Sequence, residues 1–138
     1  MNQTTSEVQH FVIDFDSTFT KVEALDILGE ISLAHHPERE ERLQLIKDVT
    51  DRGMAGEMSL RESLESRINI LDAHKSHIEE LVKRLSQLVS KSISRNKTFF
   101  EVNAANTFIV SNGFKEFIVP VVTQLGIRPE HVFANDFV

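Results

Sequence analysis

With 138 residues, 41% of them hydrophobic and 26% charged, the chain has the composition of one globular domain with a core of ordinary size. A net charge of −6 provides no basic surplus for phosphate backbones, so no nucleic-acid partner is expected. Cysteine is absent, which excludes disulfides and thiolate metal sites and accords with a cytoplasmic protein, and Met1 to His10 lacks the basic start and apolar core of a signal peptide.

No apolar run approaches the length needed to cross a bilayer, so a soluble protein without membrane contact is expected. Residues 1–7 read as a mobile lead-in. Val8 to Phe15 reads as a first strand, followed by a tight polar turn over Asp16 to Thr20. Val22, Leu25, Ile27, Leu28 and Ile31 then form an apolar helical stripe that stops before His35-His36-Pro37. Glu38 to Arg52 suits a second helix, broken by Gly53 and Gly56. Ser59-Leu60-Arg61-Glu62 has the form of a capping box opening a third helix to about Leu71. Lys75 to Ser90 carries Ile78, Leu81, Leu85 and Leu88 at the spacing of a fourth.

Lys91 to Lys97 reads as a solvated, mildly basic connector. Strand character returns at Thr107 to Ser111, ended by Asn112-Gly113. A helix from about Phe114 to Leu125 closes on Gly126, and Val132-Phe133-Ala134 is a third short strand. The order β, four helices, β, α, β predicts an α/β fold: a partial Rossmann-like parallel-sheet core with a four-helix cap inserted after the first strand. The core takes residues 8–21 and 91–138, and the cap residues 22–90. Ligands of such sheets sit at the carboxyl ends of the strands, where Asp14 and Ser111 both fall.

Asp14 and Asp16 end an apolar run one residue apart, and positions i and i+2 of a strand share a side. Two carboxylates that close need a cation or hydrogen-bond donors between them. A Mg²⁺-dependent phosphoryl-transfer site would provide both, with Asp14 attacking phosphorus and Asp16 moving the proton. The same residues also read as a polar turn with an Asx cap. Ser111-Asn112-Gly113 could hold a phosphoryl oxygen through its hydroxyl and backbone N–H groups, or could be an ordinary strand-to-helix turn. His35-His36 and the i, i+3 pair His74/His77 lack a third ligand and read as surface residues.

Asp14-Phe15-Asp16-Ser17-Thr18 with Glu23 downstream resembles the first motif of the haloacid dehalogenase superfamily, in its phosphoserine phosphatase branch. Ile109-Val110-Ser111-Asn112-Gly113-Phe114 resembles the second motif. Met54-Ala55-Gly56-Glu57, Ser63-Leu64 and Arg67 resemble that branch's helical cap, and Val132 to Asn135 the strand after the second motif. The resemblance implies Asp14 as nucleophile and Mg²⁺ ligand, and Asp16 as acid/base that contributes its backbone carbonyl to the metal. It implies phosphate binding by Ser111, Asn112 and Gly113. Glu23 would face a substrate ammonium and Arg67 its carboxylate, with Met54 and Leu60 on the apolar side. Asn112 stands where the family usually has glycine, and Leu60 where it usually has an aromatic residue.

The resemblance therefore implies a HAD-type hydrolase: Mg²⁺-dependent phosphomonoester hydrolysis through an aspartyl-phosphate, with O-phosphoserine as substrate and a place in serine biosynthesis. The alternatives are phosphotransfer, another small phosphate, or a non-catalytic ligand-binding fragment. The family's later lysine and acidic metal motif would follow Val138. The expectation is thus an N-terminal portion with weak activity alone and a sheet edge open to self-association.

Overall fold

The computed structural model describes residues 7–137, and the lead-in read over residues 1–7 lies, apart from Glu7, outside them. A three-stranded parallel sheet is built from β1 (Phe11–Ile13), β2 (Thr107–Phe114) and β3 (Val132–Asn135), in that spatial order. Between β1 and β2 run α1 (Ala24–Ser32), α2 (Arg39–Met54), α3 (Leu60–Leu71) and α4 (Lys75–Gln87), then the short α5 (Lys91–Ser94) and α6 (Lys97–Val102). Helix α7 (Lys115–Val122) makes the crossover from β2 to β3. The expected α/β architecture with a parallel sheet is therefore present.

Local chemistry accounts for several helix boundaries. Ser59 Oγ accepts from Glu62 N at 3.1 Å while Ser59 N donates to the Glu62 carboxylate at 2.9 Å, the reciprocal cap that opens α3. After α7 a single 3-10 turn, Thr123–Leu125, ends on Gly126, whose φ of 86° suits a residue without Cβ. The histidines are used in the same way. His74 Nδ1 accepts from Ser76 N at 3.3 Å, His77 Nδ1 from His74 N at 2.9 Å, and His36 Nδ1 from Glu38 N at 3.0 Å.

One apolar cluster spans the helices and the sheet, joining Leu28, Leu33, Ile46, Leu71, Leu81 and Leu85 to Phe15, Phe19, Ile109 and Phe117. Helix α4 packs on α1 and on α7, so the helical segment and the crossover helix share buried surface. The chain enters and leaves that segment side by side. Thr20 pairs antiparallel with Val89, Lys21 N donates to Leu88 O at 2.8 Å, and Ser90 N donates to Phe19 O at 2.9 Å. The other sheet face stays open among the described residues, with Val12 66%, Val110 49% and Phe133 56% exposed.

Four local expectations differ from the structure. β1 holds only Phe11–Ile13, so Asp14 and Asp16 lie beyond the strand rather than on it. The turn that follows is not a tight polar one. It is a wide turn, Phe15–Phe19, closed by Phe19 N to Asp14 O at 3.3 Å and Thr20 N to Phe15 O at 3.1 Å. Its two phenylalanines are fully buried and stacked at 5.8 Å, and this anchoring fixes the turn's width. β2 does not stop at Ser111 but runs to Phe114 through an irregular register against β3. Lastly, α5 and α6 occupy the stretch read as a connector from Lys91 onward.

Candidate functional site

At the carboxyl end of the sheet, beneath α2 and α3, lies a cavity of about 190 Å³. Asp14, Asp16, Glu23, Met54, Leu60, Arg67, Asn112 and Gly113 all line it, so residues far apart in sequence converge as the motifs suggested. The remaining expected residue, Ser111, is half-buried and not part of the wall. Its Oγ instead accepts from Gly113 N at 2.9 Å, which draws that N–H back toward the serine. Gly113 has little room for a side chain: a Cβ there would stand 3.1 Å from Ile118 Cδ1 and 3.2 Å from Phe117 Cζ.

The loop after β1 aims the two aspartates. Asp14 precedes the wide turn with extended backbone, and its Oδ1 accepts from Phe15 N at 2.8 Å. Asp16 Oδ1 accepts from Ala24 N at 2.7 Å, satisfying the first free N–H of α1. Burial pushes the Asp16 carboxyl up to about 6; the Ala24 hydrogen bond opposes the shift, and the carboxylates of Glu23 and Asp14 add to it. Asp26, in the first turn of α1, is also raised, first by burial and then by Glu23. Each aspartate thus keeps one oxygen bound to backbone and the other without a hydrogen bond among the described residues.

Arg67 brings positive charge to this acidic mouth. Its Nε donates to Ser63 O at 3.3 Å, and no carboxylate among the described residues lies within ion-pair distance of its guanidinium. Ser63 is buried, with Oγ donating to Val49 O at 3.3 Å, and this contact seats α3 on the end of α2. The approach is close: a Cβ on Gly53 would stand 2.7 Å from Ser63 Oγ. Ser63 and Leu64 also line the wall, and Leu25, Thr50 and Gly53, which were not anticipated, complete it. Thr50 and Gly53 share the last turns of α2 with Met54, so helical periodicity around Met54 was the one signal for them.

The donor set suits a hard cation. The Asp14 carboxylate, on the cavity wall with one oxygen free of hydrogen bonds among the described residues, matches the one or two carboxylates that Mg²⁺ takes alongside water and phosphate oxygens, and the Asp16 backbone carbonyl would add a further oxygen. Among the described residues no group of three or more His, Cys, Asp or Glu is arranged to hold a metal, so a fully protein-made cage is not what this site offers.

The chain has counterparts among known proteins. A phosphoserine phosphatase of Streptococcus thermophilus is 31% identical over 131 residues, covering 90% of this chain and 53% of the relative. A chloroplastic phosphoserine phosphatase of Arabidopsis thaliana is 28% identical over 129 residues, covering 94% of this chain and 41% of the relative. A solved phosphoserine phosphohydrolase-like protein from Francisella tularensis superposes with a TM-score of 0.78 at 30% identity, covering 92% of this chain and 58% of that one. Along most of its length the chain is similar to phosphoserine phosphatases. A structure of a phospho-aspartyl intermediate analogue of phosphoserine phosphatase shares the fold, with a TM-score of 0.74 at 22% identity and coverage of 96% and 58%. No family model matches the chain. It spans about half the length of the curated phosphoserine phosphatases it matches.

Proposed function

We propose that this chain carries the nucleophile, the acid/base and the substrate-recognition residues of a phosphomonoester hydrolase acting on O-phospho-L-serine. The observation that supports this reading is the convergence of Asp14, Asp16, Glu23, Arg67 and the Asn112-Gly113 backbone on one small cavity. Its volume of about 190 Å³ lies below the ~300–1,000 Å³ of drug-sized sites and suits a compact substrate. The sheet carries the phosphate chemistry, and residues 22–90 act as a cap that supplies Arg67, Met54 and Leu60.

The free oxygen of Asp14 attacks phosphorus opposite the ester oxygen, forming an acyl-phosphate as the P–O bond to the serine breaks. Asp16, whose carboxyl is pushed up to about 6, still holds a proton in part near neutrality and gives it to the departing alkoxide. The resulting Asp16 carboxylate then takes a proton from a water molecule, whose oxygen attacks phosphorus and releases phosphate and the Asp14 carboxylate. Mg²⁺, held by the Asp14 carboxylate and the Asp16 backbone carbonyl, would neutralise charge on the phosphoryl oxygens. Glu23 receives the substrate ammonium and Arg67 its carboxylate, because an amino-acid phosphate entering a partly buried cleft needs one partner of each sign.

The test is acid-quenched mass spectrometry of the chain after incubation with O-phospho-L-serine and Mg²⁺. One phosphoryl group on Asp14, absent in Asp14→Asn, together with phosphate release, is the expected result. Failure to incorporate or release phosphate while the protein is folded counts against the reading.

A further inference from the structure

We propose that Ser17 is a positioning residue that fixes the Glu23 carboxylate toward the cavity and so sets the preference for substrates bearing an ammonium group. The inference rests on the reading of Glu23 given above and adds a residue to it.

Ser17 has backbone angles of φ 56° and ψ 14°, in the left-handed region. A residue with a Cβ is held there only by surrounding interactions. Two such interactions are visible. Ser17 N donates to Val22 O at 3.1 Å, and Ser17 Oγ donates to Glu23 Oε1 at 2.7 Å. The strained conformation therefore points the hydroxyl across the loop at Glu23.

Glu23 would otherwise have a different task. It is the residue before α1, where an acidic side chain commonly turns back to satisfy the first N–H groups of the helix. Its side chain makes no such cap, and Asp16 Oδ1 takes the Ala24 N–H instead. With the helix start supplied by Asp16, the Glu23 carboxylate is held through one oxygen by Ser17. Its Oε2 accepts no hydrogen bond among the described residues and remains available in the cavity wall. Ser17 itself is exposed and outside that wall, so it acts through Glu23 and not on a ligand.

Ser17→Ala removes the hydroxyl and keeps the Cβ; Ser17→Gly removes the hydroxyl and also relieves the backbone. The experiment follows the ¹³C carboxyl resonance of Glu23 in glutamate-labelled chain, with titrations of O-phospho-L-serine and of phenyl phosphate, which lacks an ammonium. In both variants the Glu23 signal should move, and affinity for phosphoserine should fall about tenfold while phenyl phosphate binding stays within about twofold. An unmoved Glu23 signal in Ser17→Ala, or wild-type behaviour in Ser17→Gly, overturns the assignment. If the signal moves in both variants but the parent chain binds neither phosphate, the positioning stands and the phosphoserine reading falls.

Discussion

The Asp16 carboxylate accepts a 2.7 Å hydrogen bond from the Ala24 backbone N–H, tying the loop after β1 to the start of α1. The group proposed to move the proton is thereby also the cap of a helix. Its orientation comes from α1 and its proton affinity from burial.

Stability should carry the signature of that burial. The Asp16 carboxyl is raised from 3.8 to about 6, so its neutral form is favoured in the folded protein. The associated stability is fully present below about pH 4 and is lost as pH rises through about 6, a loss of at most about 3 kcal/mol. Asp16→Asn keeps an oxygen for Ala24 and cannot ionise. In metal-free denaturant unfolding the variant should match the parent near pH 4 and exceed it near pH 8. Parallel pH profiles for the two proteins would refute this account.

Arg67→Ala should weaken O-phospho-L-serine by about 1.5–3 kcal/mol and leave an aryl phosphate nearly unaffected, since a charge-assisted contact to the substrate carboxylate is lost. Calorimetric titration with both ligands checks this. Equal losses for the two would assign Arg67 to the phosphate or to the packing of α3.

Gly53→Ala should cost roughly 1–3 kcal/mol of folding stability, the usual penalty of overpacking. The new methyl would stand 2.7 Å from Ser63 Oγ and 2.9 Å from its Cβ, with Ser63 already buried against Val49. Pushing α3 away from α2 also moves Arg67, so ligand affinity should fall together with the melting temperature. A variant as stable as the parent would show that the two helices separate freely.

Self-association is expected through β1. That strand is paired on one side with β2 and has no strand on its other side among the described residues, and Val12 is largely exposed. Free strand edges flanked by apolar side chains recruit further chains, and a lysine on the edge blunts them. Light scattering at rising concentration should show growth in mass for the parent and less for Val12→Lys. A parent that stays monomeric throughout would remove the edge from consideration.

What could be read in the sequence is what local chemistry decides. The Ser59/Glu62 cap and the Gly126 terminus depend on residues within a few positions, and both stand as read. The Asp14/Asp16 pair was legible because an apolar run ending in carboxylates is unusual. Its geometry was not, since buried stacking of Phe15 on Phe19 replaces strand alternation with a wide turn. Asn112-Gly113 reads as a strand terminator, yet pairing of Phe114 with Asn135 carries β2 past it. Leu25, Thr50 and Gly53 reach the cavity only because α2 and α3 are packed as they are.

The pairing of Thr20 with Val89 has a consequence for how such a protein can change over time. For the sheet, residues 21–88 are one loop closed at its base, whatever their number. Closing a longer loop costs little more than closing a shorter one. Helices can therefore be lengthened, exchanged or resurfaced in that interval while the base stays fixed. The aspartates just after β1 are held in place, and the part of the cavity wall that this interval contributes is free to diverge.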